Sequence, residues 1–166
     1  MTFPVVIDPT LTMYSTSNDG YIYNSSTSYN TVRNAASGTV NSSGITLLIG
    51  QRKAATVPLP TYYIYRGFLF FNTTTLPANA YIDNASLSLY KYSDSSATDF
   101  LITVQNGQPV YPHNPLQTGD YNKNHYSGNG GALNTSGFTN GYNNTIYLNS
   151  DGRSWLNRTG LTKLCL

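Results

Sequence analysis

The stretch Tyr65–Tyr90, YRGFLFFNTTTLPANAYIDNASLSLY, constrains the fold of this chain more than any other. Tyr65–Asn72 is aromatic or apolar at nearly every residue, as a central strand is. Tyr81–Tyr90 alternates, with Ile82, Ala85, Leu87 and Leu89 separated by polar residues, which is the period of a half-buried strand. The polar segment Thr73–Thr75 and the pair Leu76–Pro77 join them as a turn.

The rest of the chain repeats this vocabulary. Gly20–Asn24, Ile45–Gly50, Tyr62–Phe71, Ile82–Tyr92, Phe100–Gln105, Ile146–Leu148 and Leu161–Leu166 read as strands. Ser25–Gly44, Arg52–Pro60 and Asn106–Asn144 read as loops, rich in Ser, Asn, Gly and Pro. Ser150–Asn157 reads as one short helix, capped by Ser150 or Asp151 and stopped near Gly160. Seven or so short strands without β-α-β alternation predict an all-β chain: a single antiparallel β-sandwich, jelly-roll-like, with long loops.

Composition agrees. The acidic residues are seven aspartates with no glutamate, while Tyr alone numbers 15. Helix formers are scarce and strand formers abundant. Charged residues make up 10% of the chain, so neutral hydroxyls and amides must cover the surface. A net charge of +2 without a Lys/Arg cluster gives no surface for nucleic acid. No apolar run reaches the roughly 18 residues that a membrane span needs. Cys165 is the single cysteine. It excludes an internal disulfide and reads as a small buried hydrophobe.

The chemistry-bearing residues are few. His113, Asp120 and His125 lie in YPHNPLQTGDYNKNHY, but a polar loop is ordinary ground for histidine. The aspartates stand beside turn residues, as turn formers do, and no nucleophile or phosphate-binding motif occurs. The chain therefore reads as non-catalytic, with no required cofactor. Calcium is the one metal its loop oxygens suit, at Asn18, Asp19, Asp94 and Asp99. The segment Tyr111–Tyr142 offers Tyr111, Tyr121, Tyr126, Phe138 and Tyr142 among many Asn residues. Aromatic faces and amides suit a polysaccharide partner. Asn-x-Ser/Thr sequons occur at Asn24, Asn41, Asn72, Asn84, Asn134, Asn143 and Asn157, which would carry glycans on an extracellular protein.

The segment from Tyr65 to Tyr92 resembles the core of the disaggregatase-related (DNRLRE) domain family. Arg66, Phe68, Leu69 and Phe70 stand as that family's Arg-aromatic-Leu-x-Phe strand, Leu76–Pro77 as its turn, and Ile82, Ala85, Leu87 and Leu89 as its second strand. Leu148–Leu166 is similar to its closing part, and SNDGYIYNSSTSYNT to its opening strand and loop. The six-letter motif that names the family is missing, as in a divergent member. The resemblance implies a β-sandwich domain over residues 17–166 on an extracellular, cell or virion surface, in a family where some members bind polysaccharide.

It also implies a further strand beyond the position of Leu166, and a sandwich lacking it would have an open edge. Residues 1–16 form an N-terminal arm whose β-like residues Val5, Val6, Ile7, Leu11, Met13 and Tyr14 could fold back and complete the chain's own sandwich, or fill that edge in a neighbour. The leading expectation is thus a structural subunit of a filament, coat or virion that polymerises with itself by strand donation. The alternative is a carbohydrate-binding or adhesive module.

Overall fold

The computed structural model describes residues 10–166. Val5, Val6 and Ile7 lie outside the described residues. The chain is mostly β, with antiparallel sheets and two short helices. In order, the elements are β1 (Gly20–Ser26), α1 (Tyr29–Arg33), β2 (Thr39–Asn41), β3 (Gly50–Ala54), β4 (Thr61–Asn72), β5 (Ser86–Tyr90), β6 (Leu101–Thr103), β7 (Ala132–Asn134), β8 (Asn143–Tyr147), α2 (Ser150–Ser154) and β9 (Leu161–Cys165). Among the described residues no helix is long and apolar enough to cross a membrane.

β4 is the axis. One side of it pairs with β1, from Gly20↔Phe68 to Ser26↔Tyr62. The other side pairs with β3 along Thr61–Tyr65 and with β9 along Phe68–Asn72. Just before β1 begins, Thr16 N–H donates to Phe70 O at 2.8 Å, and Asp19 Oδ1 accepts from Phe70 N–H at 2.8 Å. β2 extends the sheet beyond β1.

The aromatic run of β4 has two faces to fill. Phe68 and Phe70, with Ile22 and Cys165, meet Leu116, Tyr121 and Tyr126 from the long loop that follows β6. Leu69, on the opposite face with Leu164, meets Leu87, Ile102, Val104, Ile146 and Leu148, which come from the pairs β5–β8 and β6–β7 and their flanks. A strand buried on both faces loses the alternation of a one-sided strand. Phe68 and Phe70 are fully buried, and truncating either to Ala would cost about 3–5 kcal/mol.

Several expected elements shift. The apolar run 45–49 is not a strand; β3 begins at Gly50 and carries Arg52 and Lys53. Leu47 and Ile49 instead cross the sheet over Gly67, where an added Cβ would lie 2.9 Å from Ile49 Cγ1. The stretch 25–44 holds α1, capped by the Ser28 side chain, and β2. α1 gives the fold a second helix where one was expected. β5 is confined to Ser86–Tyr90, and β7 lies inside the expected loop 106–144. α2 is capped by Asn149, whose Oδ1 accepts from Gly152 N–H, rather than by Ser150 or Asp151. α2 packs so closely that a Cβ on Gly152 would sit 2.0 Å from Gly130 O.

Candidate functional site

Antiparallel register decides which tyrosines share a face. Tyr23 stands opposite Tyr65, Tyr21 opposite Gly67 and Ser25 opposite Tyr63. From the other side Arg52 stands opposite Tyr63, and from β2 Asn41 stands opposite Tyr21. Side chains alternate along a strand, so Tyr21, Tyr23, Tyr63 and Tyr65 emerge together, flanked by Arg52 and Asn41.

The rings form one cluster. Tyr23 and Tyr65 stack at 5.6 Å between centroids and 27° between planes. Tyr63 and Tyr65 stack at 6.3 Å and 13°. Tyr21 meets Tyr65 edge-on at 6.0 Å. The Arg52 guanidinium lies 5.5 Å from the Tyr63 ring centre. Asn41 Nδ2 donates to Tyr21 Oη at 2.9 Å. All four tyrosines are half-buried, with one another for neighbours, while Arg52 is exposed. Partial burial raises the Tyr65 hydroxyl above its ordinary pKa, against the pull of Arg52.

The other face of the same sheet is closed by the loop 106–126. Asp120 is fully buried. Its Oδ2 accepts from His113 N–H at 3.0 Å and from Gln117 N–H at 2.8 Å. Its Oδ1 lies 2.7 Å from His113 Nδ1. Lys163 of β9 donates from Nζ to the carbonyls of Pro109, Val110 and Pro112, at 3.0, 3.3 and 2.9 Å. Burial lowers its pKa. The Arg66 guanidinium donates to Tyr121 O and Arg33 O and lies 4.1 Å from the Tyr121 ring centre. Burial lowers the Arg66 pKa too. These charged groups tie a loop with little secondary structure to the sheet. The His113–Asp120 pair has the spacing of a base and its orienter, but among the described residues no hydroxyl or thiol is hydrogen-bonded to His113 Nε2, and the carboxylate is engaged in holding the loop.

This packing corrects the expected glycan contacts. Tyr121 is fully buried and Tyr126 is 6% exposed, so neither offers a ring to a sugar. Tyr111 stacks on His125 at 3.6 Å. Phe138 is half-buried, and Tyr142 stands exposed just before β8. The face of Tyr21, Tyr23, Tyr63 and Tyr65 was missed. Its signal was the repeated Tyr-x-Tyr spacing in GYIYN and TYYIY.

The calcium candidates are not brought together. Asp19 binds the Phe70 amide, and burial raises its pKa above 3.8. Asp94 pairs with Lys91 at 2.8 Å and accepts from Ser96 N–H. Asp99 accepts from the Thr135 hydroxyl, and Asn18 donates to Asn114. Among the described residues no three His, Cys, Asp or Glu side chains converge on a metal position. Cys165 is buried, and burial pushes its thiol up to about 12.

Of the sequons, Asn72, Asn84, Asn134, Asn143 and Asn157 are exposed. Asn24 and Asn41 are half-buried, with their amides donated to Ser37 O and Tyr21 Oη. Of the arm, Leu11 and Tyr14 are exposed and Met13 is half-buried.

No family model, curated protein or solved structure matches this chain.

Proposed function

We propose that this chain is an antiparallel β-sandwich, jelly-roll-like and of the disaggregatase-related kind, which serves on an extracellular, cell or virion surface as a non-catalytic polysaccharide-binding module. The observation that carries this reading is the cluster of Tyr21, Tyr23, Tyr63 and Tyr65 on one sheet face. Tyrosine rings present a negative face to the weakly positive C–H surface of a pyranose. Their hydroxyls, with Arg52 and Asn41, hydrogen-bond sugar hydroxyls. Rings fixed by strands and by each other lose little entropy on binding. The exposed sequons suit an extracellular setting, where Asn72, Asn84, Asn134, Asn143 and Asn157 would carry glycans.

Affinity electrophoresis through gels holding neutral and acidic polysaccharides tests this. The wild-type chain is retarded by at least one polymer, and Tyr63→Ala with Tyr65→Ala releases it. Tyr142→Ala leaves retardation unchanged. Absence of retardation in every gel removes the reading.

A second reading, a self-assembling structural subunit of a filament, coat or virion, draws support from a separate observation. The described end of the arm leaves Leu11 and Tyr14 exposed beside an open apolar trough.

A further inference from the structure

An open trough runs alongside the core that Leu69 and Leu164 help to build. Its floor reaches Leu69 and Phe71 of β4, Leu87 of β5 and Leu164 of β9. Its rim exposes Leu11, Tyr14, Ile45, Leu48, Tyr81 and Tyr92. Large apolar side chains gathered on one surface mark a place that something covers. The trough holds about 2870 Å³, against roughly 300–1,000 Å³ for a site that takes a small molecule. A length of polypeptide suits that space better than a small ligand does.

The start of the described chain is one wall of this trough. Thr10, Leu11, Thr12, Met13, Tyr14 and Ser15 all line it. The wall is fixed at its inner end, where Ser15 bridges to Phe71 and Thr16 N–H donates to Phe70 O at 2.8 Å. Residues 1–9 lie outside the described residues and are joined to Thr10 at that wall. Nine residues reach up to about 30 Å when extended. Residues 2–7 carry no charged side chain, and Phe3, Val5, Val6 and Ile7 are apolar. Pro4 has no N–H to leave unpaired on burial. The hydroxyls of Ser93, Ser95 and Thr98 along the trough can accept from the remaining N–H groups.

Tethering decides between this segment and the same segment of a second copy. A short tether presents its segment at an effective concentration on the order of millimolar. A second copy must in addition lose translational and rotational freedom on docking. We propose that the chain's own residues 3–7 lie along the floor of the trough and close the domain over Leu69, Leu87 and Leu164. The proposal goes beyond the polysaccharide reading and does not rest on it. It gives the trough an occupant that the self-assembly reading draws from a neighbour.

Paramagnetic relaxation in the full chain tests this. Thr2→Cys carries a nitroxide, attached to the folded protein, in which Cys165 is buried. With nitroxide and isotope on the same chain, relaxation of the Leu69, Leu87 and Leu164 methyls is enhanced at least fivefold over that of Ile22 and Leu116, in the core on the sheet's other face. A mixture of nitroxide-bearing chain without isotope and isotope-labelled chain without nitroxide shows no such enhancement. Val6→Lys in the doubly labelled chain lowers the enhancement at least threefold and raises the binding of an apolar dye. Enhancement in the mixture overturns the chain's own segment as occupant and supports the self-assembly reading. Equal enhancement of the two cores, or none in either, overturns the docking itself. Enhancement and dye binding that Val6→Lys leaves unchanged overturn the apolar contact.

Discussion

Replacing Asp120 tests how the loop 106–126 is held against the sheet. The carboxylate accepts three hydrogen bonds, from His113 N–H, Gln117 N–H and His113 Nδ1, and is fully buried. Hydrogen bonds to a charged group contribute about 1.5–3 kcal/mol each. Deletion also relieves the carboxylate of its own desolvation, and Gln117 at the loop surface regains water. The net cost of Asp120→Ala therefore falls below the sum of the three bonds, at about 3–4 kcal/mol. Asp120→Asn keeps one oxygen for the two backbone N–H groups. It turns its amide to His113 Nδ1, which accepts in the other tautomer. Its cost is about 1–2 kcal/mol. For a chain of 166 residues, 1 kcal/mol moves Tm by about 2–4 °C. The alanine variant should thus melt about 6–16 °C lower, with urea unfolding giving the same order. An alanine cost below 1 kcal/mol, or an asparagine variant less stable than alanine, would refute the view that this carboxylate anchors the loop.

Two aspartates should titrate with opposite signs. Burial lifts Asp19 above 3.8, so its contribution is most favourable below 3.8 and is lost as pH rises through the folded value. Asp19→Asn should then be neutral or mildly stabilising at pH 7, because its oxygen still accepts from Phe70 N–H. Asp94 is held down to about 2, first by its hydrogen bond with Lys91 and then by Ser96. Its contribution is present above 3.8 and lost as pH falls toward 2. At this exposed site Asp94→Asn costs under about 1 kcal/mol at pH 7 and much less at pH 2. Urea melts at pH 2 and pH 7 check both signs. Cys165 should resist a thiol reagent at pH 8 in the folded protein and react fully in denaturant, since its thiolate is disfavoured up to about 12. Fast reaction of the folded protein would contradict its burial.

β4 was legible because its signal is local: ten consecutive residues from Tyr62 to Phe71 hold hydrophobes on both faces. The run 45–49 misled because its hydrophobicity serves a crossing over Gly67, a contact between segments far apart in sequence. The five residues of α1 contain weak helix formers, and Val32 alone is buried, so no helical period emerges. Tyrosine is ambiguous by nature, being apolar in body and polar at the tip. Nothing in YNKNHY tells Tyr121, buried with its hydroxyl donating to Val32 O, from an exposed ring. The Tyr-x-Tyr spacing marks two tyrosine faces, but the register Tyr23↔Tyr65 that joins them is tertiary.

The measurement closest to the central claim is NMR of the tyrosine ring protons during titration with an oligosaccharide of the polymer that retards the protein. Binding through the sheet face perturbs Tyr21, Tyr23, Tyr63 and Tyr65 together and leaves Tyr142 and Tyr147 unmoved. Perturbations centred on Tyr142 or Tyr147, with the four sheet tyrosines silent, would contradict it.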